Sequence, residues 1–484
     1  MNFLNIAIVS SEIVPFAKTG GLADVIGSLP AELSGLKCNV KVFMPYYRAA
    51  KKENFGISLA KNNLNVCMQG KDFGFSLYQC KSKGVDFYFI KKDEYFDREF
   101  LYGTPQGDYP DNAQRFGFFA NAVLESLTFL KFKADVINCN DWQSALIPFY
   151  VRFKLKDSAL FKKTKTLFTV HNLAYQGLFP REIMPTLDIG YEFFTPEALE
   201  FYGKFSFMKA GIIYSDAVST VSSGYAKEIL TKEFGCGLEG LLYTKKDSLF
   251  GILNGVDYSQ WSPGADKFIV SNYDVKALKN KAECKKDLLV QMGLPVSPER
   301  CLLGQVGRLA HQKGMDLIVD SIEDIIKLSC NLVVLGAGDE QYHRVLTALS
   351  KKYPKNISVK IGFDNALAHK IEAGSDMFLM PSRYEPCGLN QMYSLKYGTI
   401  PLVRATGGLD DTITDYTRDP ARGNGFKFKE ATKEGFLGAL KSAVCVYSDK
   451  NHWKKLMARA MGFDFSWKRS AQEYIKLYTA LIKK

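Results

Sequence analysis

The sequence predicts an α/β protein built from two doubly wound parallel sheets. Three observations lead to this prediction. Short apolar runs alternate with helical patterns, this alternation stops in the middle of the chain and then resumes, and glycine-bearing turns follow several of the runs. Strands that alternate with helices form parallel sheets covered by helices. Ligands bind beyond the carboxyl ends of such strands, so we expect two facing sheets to enclose an interdomain cleft.

The N-terminal half of the chain contains the first predicted sheet. Leu22, Val25, Ile26, Leu29 and Leu33 recur at helical spacing after the first apolar run. We assign this half, residues 1–250, to the first domain. Its strands are predicted at residues 6–9, 40–44, 85–90, 136–138 and 166–170.

The second predicted domain covers residues 251–465. Residues 252–264 contain the turn sequences NGVD and WSPG, where we place the hinge. Residues 466–484 are helical in pattern, and we expect this segment to pack back across the hinge. The strands of the second domain are predicted at residues 302–306, 332–335, 358–361, 377–380 and 400–403.

Composition narrows the class of protein. Among 484 residues, 46% are hydrophobic and 24% are charged, as in soluble globular proteins. The net charge is +12, but the basic residues are dispersed without a recognition-helix or RNA-binding pattern, so we expect no nucleic acid partner. An anionic sugar nucleotide would suit this basic surface, although most of these charges are expected on a solvated face.

Cysteine spacing and hydropathy indicate the compartment. The ten cysteines include no C-x-x-C pair, which favours reduced thiols over a disulfide or zinc framework. We find no secretory signal and no apolar stretch long enough for a bilayer. We therefore expect a cytoplasmic protein without a membrane partner, or a plastid protein if a transit peptide has been removed. The sequence leaves the oligomeric state unknown.

Two loops predict a divided anion site. Lys18 precedes Gly20 and Gly21, whose backbone N–H groups can approach a phosphate at the start of a helix. Arg308 and Lys313 follow a strand of the second domain, where a guanidinium and an ammonium can bind the same diphosphate. The alternative at each loop is an ordinary strand-to-helix turn with solvated cations.

A carboxylate lies in a third loop. Residues 381–389, PSRYEPCGL, follow a predicted strand and open a helix. Glu385 can bind sugar hydroxyls or balance charge on a sugar ring, while amides near Gly388 and Leu389 can bind phosphate. Thr406 and Gly407 repeat the strand, glycine turn and helix pattern. A surface charge at Glu385 and a structural turn at Thr406 are the alternatives.

A nicotinamide enzyme is the first alternative function. The sequence LGAGD at residues 335–339 begins a dinucleotide fingerprint, but the third glycine would fall at Gln341. Hydride transfer is therefore not expected.

Four motifs together resemble bacterial glycogen synthase and plant starch synthase. They are KTGGLADV at residues 18–25, HNLAYQG at 171–177, GRLAHQKG at 307–314 and PSRYEPCGL at 381–389. The resemblance implies a GT-B fold with two Rossmann-like domains. It also implies transfer of glucose from ADP-glucose to the non-reducing end of an α-1,4-glucan, namely glycogen or a malto-oligosaccharide.

The resemblance also implies roles for individual residues. His171 would touch the transferred glucosyl unit, Glu385 would lie near the sugar ring, and Arg308 and Lys313 would neutralise the leaving diphosphate. For His171 alone, a loop histidine satisfied by the backbone is the alternative. The residues that would contact the donor are Lys18, Gly20, Gly21, Asp24, Asn254, Phe363, Gly388, Leu389, Thr406 and Gly407. Structural helix and turn roles compete at Asp24 and Asn254, and core packing competes with adenine stacking at Phe363.

The acceptor side departs from the family pattern. Asn140 and Gln143 replace both histidines of the family His-Asp-Trp-His element, so details of acceptor binding are open. A buried tryptophan is the alternative to sugar stacking at position 142. Some relatives have a second glutamate eight residues after the first, where this chain has Tyr393. The residues that would bind the acceptor are Tyr95, Asp97, Arg98, Asp141 and Trp142.

The resemblance implies that the anomeric configuration is retained. We identify no carboxylate nucleophile, and we expect front-face replacement without a metal or other cofactor, because Lys18, Arg308 and Lys313 supply positive charge. A GT-B transferase that uses UDP-glucose or another acceptor remains an alternative, as does a non-catalytic glucan-binding protein. A phosphorylase is disfavoured because nothing indicates a pyridoxal-binding lysine.

Overall fold

The computed structural model describes residues 3–483. Its contacts divide the chain into two compact units. The first unit contains the chain up to Val221, then Ala226–Gly255 and the C-terminal helix. The second contains Ser222–Tyr225 and Val256–Ser466. The chain therefore passes between units more than once.

Within the described residues, the first unit contains a nine-stranded sheet in which neighbouring strands are parallel except at one edge. All five strands predicted for this half lie in the sheet. In spatial order, its strands are Leu249–Gly251, Ala217–Thr220, Lys165–Val170, Val136–Asn140, Asn5–Val9, Asn39–Pro45, Val85–Lys91, Lys71–Ser82 and Ser58–Met68.

The antiparallel edge was not predicted from the sequence. Ser58–Met68 and Lys71–Ser82 form a hairpin whose two turn residues, Gln69 and Gly70, have φ angles of 53° and 65°. Such left-handed pairs match the twist of a two-residue hairpin. Much of this hairpin is exposed, so it lacks the continuous apolar runs that marked the parallel strands.

Helices cover the first sheet. The helix Gly21–Gly35 packs against the C-terminal helix Trp467–Lys483. Asn138 in the sheet donates a hydrogen bond to the Tyr478 hydroxyl at 2.9 Å, which attaches the last helix to this unit. The other α-helices here are Arg48–Lys51, Asp93–Phe96, Asn112–Phe129, Leu146–Phe153, Phe207–Tyr214 and Glu239–Thr244, and the helix Ser223–Glu228 is divided between the two units.

Among the residues described, the second unit contains a six-stranded sheet, and all of its strand pairs are parallel. Five of these strands were predicted. The sixth, Phe426–Phe428, is only three residues long and was missed. In spatial order, the strands are Ile357–Ile361, Cys330–Gly336, Cys301–Val306, Met377–Met380, Ile400–Arg404 and Phe426–Phe428.

Three helices of the second unit begin at side-chain caps. Asp364, Thr432 and Asp449 each accept hydrogen bonds from backbone N–H groups in the first turn of a helix. No helix within residues 3–483 is both long and apolar enough to span a bilayer. The α-helices are Asn280–Gln291, Met315–Asp320, Ile322–Lys327, Glu340–Lys352, Asn365–Gly374, Asn390–Lys396, Gly407–Thr412, Lys433–Ser448 and Lys450–Met461.

Candidate active site

Three neighbouring strands of the first sheet end in loops that carry predicted site residues. The loop after Asn5–Val9 contains Lys18, while Asp141 and His171 directly follow the next two strands. The strand order reverses direction beside Asn5–Val9, which is where open parallel sheets form ligand crevices.

The Lys18 loop is organised by a carboxylate that the sequence analysis missed. Glu12 is buried, and its carboxylate accepts hydrogen bonds from the backbone N–H groups of Thr19 (2.5 Å) and Gly20 (3.1 Å) and from the Tyr102 hydroxyl (2.7 Å). The Gly20 N–H, which we expect to contact a phosphate, therefore binds Glu12 in this structure. A single glutamate after a strand gives no distinctive sequence signal.

Lys18 itself is half-exposed and forms an ion pair with Asp24 at 2.7 Å. Burial raises the pKa of Asp24, and the nearby ammonium of Lys18 partly opposes this effect. Gly21 is the first residue of the helix Gly21–Gly35, which contains Asp24 in its first turn. The structure thus brings Lys18, Gly20, Gly21 and Asp24 together at one helix start.

The His171 ring is buried and held in one tautomer. Asn140 donates from its amide nitrogen to the carbonyl oxygens of Val9 and Asn138, which directs its amide oxygen toward His171. His171 Nε2–H therefore donates to Asn140 Oδ1 at 2.9 Å. Burial lowers the pKa of His171 to about 3, so the imidazole is neutral.

Asp141 lies beside this histidine. Its backbone has a φ of 54°, and its carboxylate accepts the His171 backbone N–H at 2.7 Å. Burial raises the pKa of Asp141 to about 7. Asp141 therefore titrates near neutral pH. Its ionised carboxylate can accept a hydrogen bond from a hydroxyl group, and its protonated form can donate one.

Trp142 lies in an aromatic cluster. Its side chain is buried, which is the alternative to sugar stacking given in the sequence analysis. Its indole is 8% exposed and makes edge contacts with Phe116 and Phe207. A Cβ on Gly177 would lie 2.6 Å from the indole, so only glycine fits against this ring. The cluster supports the neighbouring Asp141 loop.

Of the remaining predicted acceptor residues, Asp97 and Arg98 form ion pairs and Tyr95 packs among aromatic rings. Asp97 pairs with Arg48 (2.7 Å) and Lys51 (3.1 Å), and Arg98 pairs with Asp111. The Tyr95 ring packs on Phe96 and Phe118, and its carbonyl accepts from the buried Arg115 guanidinium at 2.7 Å.

Loops from the two central strands of the second sheet meet at its carboxyl edge. The strand order changes direction between Cys301–Val306 and Met377–Met380, and these strands lead to Arg308 and Glu385 respectively. Lys313 Nζ lies 2.5 Å from a carboxylate oxygen of Glu385, which is 6% exposed. Ser382 Oγ donates to the same oxygen at 3.0 Å.

Gln312 connects Arg308 to this pair. Its side-chain oxygen accepts from Arg308 at 2.5 Å, and its amide nitrogen donates to the Tyr384 carbonyl at 3.3 Å. The structure therefore places Arg308, Lys313 and Glu385 on adjoining loops of the second unit.

Two glycines permit the close approach of these loops. Gly314 has a φ of 69°, and a Cβ there would overlap the Pro381 carbonyl oxygen. A Cβ on Gly408 would overlap the Cys387 carbonyl in the same way, and the Gly408 N–H donates to the Glu385 carbonyl at 3.1 Å.

The predicted phosphate-binding turns lie at two helix starts. Leu389 precedes the helix Asn390–Lys396, and Gly388 before it has a φ of 71°. Thr406 precedes the helix Gly407–Thr412. The Gly408 hydrogen bond places both turns beside the Glu385 loop.

Asn254 and Phe363 lie outside these clusters. Asn254 is buried in the first unit, and within residues 3–483 its Oδ1 has no hydrogen-bond partner. Phe363 is 88% exposed in the second unit, so the core-packing alternative is wrong.

A second segment missed by sequence analysis is Ser222–Tyr225. Ser222 Oγ donates to the Pro386 carbonyl at 2.6 Å, and the Gly224 N–H donates to Asp411 at 2.7 Å. This segment therefore supports the Glu385 loop, although it precedes the second sheet by many residues. No local sequence pattern reports such a contact.

Two other sequence features have packing explanations. A Cβ on Gly336 or Gly338 would overlap the backbone of residues 307–309, which accounts for the glycines of LGAGD without a nicotinamide. Tyr393, where some relatives carry glutamate, stacks on Trp261 with ring centroids 4.1 Å apart.

Comparison with solved structures defines the class of protein. The catalytic domain of starch synthase IV from Arabidopsis thaliana, bound to ADP and acarbose, superimposes with a TM-score of 0.92, at 31% identity and with 100% of each chain covered. Sucrose-phosphate synthase from Thermosynechococcus elongatus has a TM-score of 0.62 at 17% identity, a likeness of fold alone. The protein is a glycosyltransferase with the GT-B fold.

Sequence relatives define the family. A profile described as the starch synthase catalytic domain matches residues 5–244, and one described as glycosyl transferases group 1 matches 294–455. A glycogen synthase from Koribacter versatilis is 48% identical, and glycogen synthase 2 from Geobacter sulfurreducens is 44% identical, each with 98% of both chains covered. The chain belongs to the glycogen synthase family.

Proposed function

We propose that this protein transfers glucose from ADP-glucose to the non-reducing end of an α-1,4-glucan with retention of configuration, releasing ADP. The observation that carries the proposal is the cluster of Arg308, Lys313 and Glu385 at the carboxyl edge of the second sheet. It combines two cations for a leaving diphosphate with a buried carboxylate for the sugar. The full-length relatives named glycogen synthase support the same activity.

Positive charge placed beside the anionic leaving group is the main catalytic contribution in this proposal. As the bond between sugar and phosphate breaks, negative charge accumulates on the phosphate oxygens. Cations that are already positioned stabilise this charge more in the transition state than in the ground state. Arg308 and Lys313 supply this charge from the second unit, and Lys18 with the Gly21 amide supplies it from the first.

Retention is proposed to proceed by front-face replacement. The leaving phosphate accepts the proton of the incoming glucan hydroxyl while the sugar passes through a short-lived ion pair with oxocarbenium character. The neutral His171 is suited to hydrogen bonding with a sugar hydroxyl and adds no charge beside the cationic sugar. A glucosyl adduct trapped on Asp24, Asp141 or Glu385 would contradict this path.

The decisive assay combines the protein with glycogen and either ADP-glucose or UDP-glucose. Nucleotide release and chain lengthening are followed together. We expect both with ADP-glucose. Lengthening with UDP-glucose alone would favour the alternative donor, nucleotide release without lengthening would favour another acceptor, and neither reaction would favour a non-catalytic glucan-binding protein.

We also propose that the reaction needs no metal, because protein cations take the place that a divalent ion would occupy beside the diphosphate. After dialysis against EDTA, the protein should retain its full turnover with ADP-glucose and glycogen. Loss of activity that added Mg²⁺ restores would contradict this proposal. For an enzyme that acts on these substrates, we propose a cytoplasmic location.

A further inference from the structure

A lysine-rich cavity of about 330 Å³ lies in the second unit. Its wall is largely apolar and includes Leu289, Val296, Trp453 and Met457. Exposed lysines surround it, and two buried lysines, Lys281 and Lys285, lie deeper. The exposed lysines are Lys279, Lys286, Lys450 and Lys454.

The cavity lies at the opposite edge of the sheet from Arg308 and Glu385. Asp376, which lines it, immediately precedes the strand Met377–Met380, and its carboxylate accepts from the Leu302 N–H at 2.8 Å. Leu302 belongs to the strand Cys301–Val306. This strand and Met377–Met380 carry the predicted donor loops at their carboxyl ends. The cavity is therefore separate from the donor residues and borders the start of the strands that hold them.

Positive charge in the cavity exceeds negative charge. Asp376 pairs with Lys285 at 2.7 Å and is the one carboxylate among the lining residues described. Lys281 donates to the Ala373 carbonyl (2.7 Å) and Thr399 Oγ1 (2.6 Å), both of which are neutral. Burial lowers the pKa of Lys281 to about 8, so it remains largely charged at pH 7.

Nearby acids do not neutralise this charge. Burial raises the pKa of Glu372 to about 8, so this side chain is largely protonated at neutral pH. In the part of the chain that the structure describes, Lys279, Lys286 and Lys454 have no carboxylate within 4.0 Å. Asp376 and Glu299 act electrostatically on Lys450, so an anion at the mouth of the cavity would meet mainly the other three exposed lysines, which are not held in ion pairs among the described residues.

Trp453 closes one side of the cavity. Its side chain is 2% exposed and lines the cavity, and its ring packs edge-on against Tyr447 with centroids 5.2 Å apart. The indole therefore contributes a fixed apolar wall.

We propose that this cavity binds a small organic anion that has an apolar body and one carboxylate or phosphate group. The apolar wall accommodates the body, and the surrounding ammonium groups bind the anion. The volume lies within the range of small-molecule sites. A glucan is disfavoured because its hydroxyls would face an apolar wall. The inference is independent of the proposed catalytic function.

Fluorine NMR of the full-length protein tests this site with three probes of similar size. These are 4-fluorobenzoate, 4-fluorophenyl phosphate and the neutral 4-fluorobenzyl alcohol. We expect at least one anion to bind with a Kd of about 1 mM or tighter, which is reasonable for roughly ten heavy atoms. The alcohol should bind at least about tenfold more weakly. The two anions distinguish a carboxylate ligand from a phosphate ligand.

Charge reversal locates the binding. The double variant Lys286→Glu/Lys454→Glu should weaken anion binding about tenfold or more, while Lys468→Glu, on the C-terminal helix of the first unit, should leave it unchanged. Equal binding of anion and alcohol, or equal affinity in the double variant and the Lys468→Glu control, would overturn the proposal. Thermal melts of each variant verify folding.

Discussion

Lys313 and Glu385 form an ion pair at 2.5 Å in the second unit, and the Lys313→Ala variant tests its role. We expect turnover to fall on the order of 10²–10³-fold, because a cation that stabilises the leaving diphosphate is lost. Arg308→Ala should have an effect of similar size. Initial rates of ADP release with saturating ADP-glucose and glycogen measure both effects.

Folding must be separated from chemistry in this test. Lys313→Ala leaves the Glu385 carboxylate buried without its ammonium partner, which itself destabilises the fold. The double variant Lys313→Ala/Glu385→Gln removes that unpaired charge and should recover stability but not activity. Lys351→Ala, at an exposed position on the helix Glu340–Lys352, is the matched control and should behave as the original protein. Near-normal turnover in both Lys313→Ala and Arg308→Ala would exclude their assigned role.

His171 makes the stability of the protein depend on pH. Its pKa is about 3 in the fold, whereas an unfolded histidine titrates near its model value of 6.5. Below pH 6.5 the unfolded state therefore binds a proton that the folded state does not, and stability falls as pH falls toward 3. Asp141, whose raised pKa of about 7 acts in the opposite direction, removes stability as pH rises from about 4 to 7.

The His171→Gln variant isolates the histidine contribution. Between about pH 6 and pH 5, the free energy of unfolding of the original protein should fall relative to the variant by about 1.4 kcal/mol per pH unit. Urea unfolding at a series of pH values measures this difference. Parallel pH curves for the two proteins would mean that His171 is not buried in its neutral form.

At the scale of elements, Gly314 controls how the Lys313 turn meets the Glu385 loop. Gly314→Ala combines a φ of 69° with overlap on the Pro381 carbonyl, whereas Gly293→Ala has a φ of 67° and open space around its Cβ. We expect Gly293→Ala to cost about 1 kcal/mol of unfolding free energy and Gly314→Ala to cost at least about 2 kcal/mol more. Urea unfolding compares the two variants. Equal costs would show that the loops separate without strain.

The antiparallel edge of the first sheet shows what periodicity misses. The parallel strands are buried on both faces and therefore appear as apolar runs, which made them predictable. The hairpin Ser58–Met68 and Lys71–Ser82 exposes alternate side chains, so its signal is weak. Its Gln-Gly turn is the feature that would have indicated it, because both residues are left-handed.

For the whole molecule, we expect ADP to bind residues of both units. Saturating ADP should slow amide hydrogen exchange around residues 18–21 in the first unit and around 307–314 and 381–389 in the second. The physical reason is that a bound ligand reduces the local opening of these loops, and their amide hydrogens exchange only when the loops open. Mass spectrometry of peptides from each unit measures this. Protection confined to one unit would contradict a donor shared by both.

The sequence by itself determined the fold class, the parallel strands and the position of Arg308, Lys313 and Glu385 in loops at strand ends. These follow from local patterns, because apolar periodicity reports burial and glycine turns at strand ends bring functional loops to one edge of a sheet. Only the tertiary structure revealed Glu12 on the Thr19 and Gly20 amides, Ser222 on the Pro386 carbonyl, and Trp142 within its aromatic cluster. Each depends on contacts between segments distant in the chain or on packing around one side chain, and neither leaves a periodic signal in the sequence.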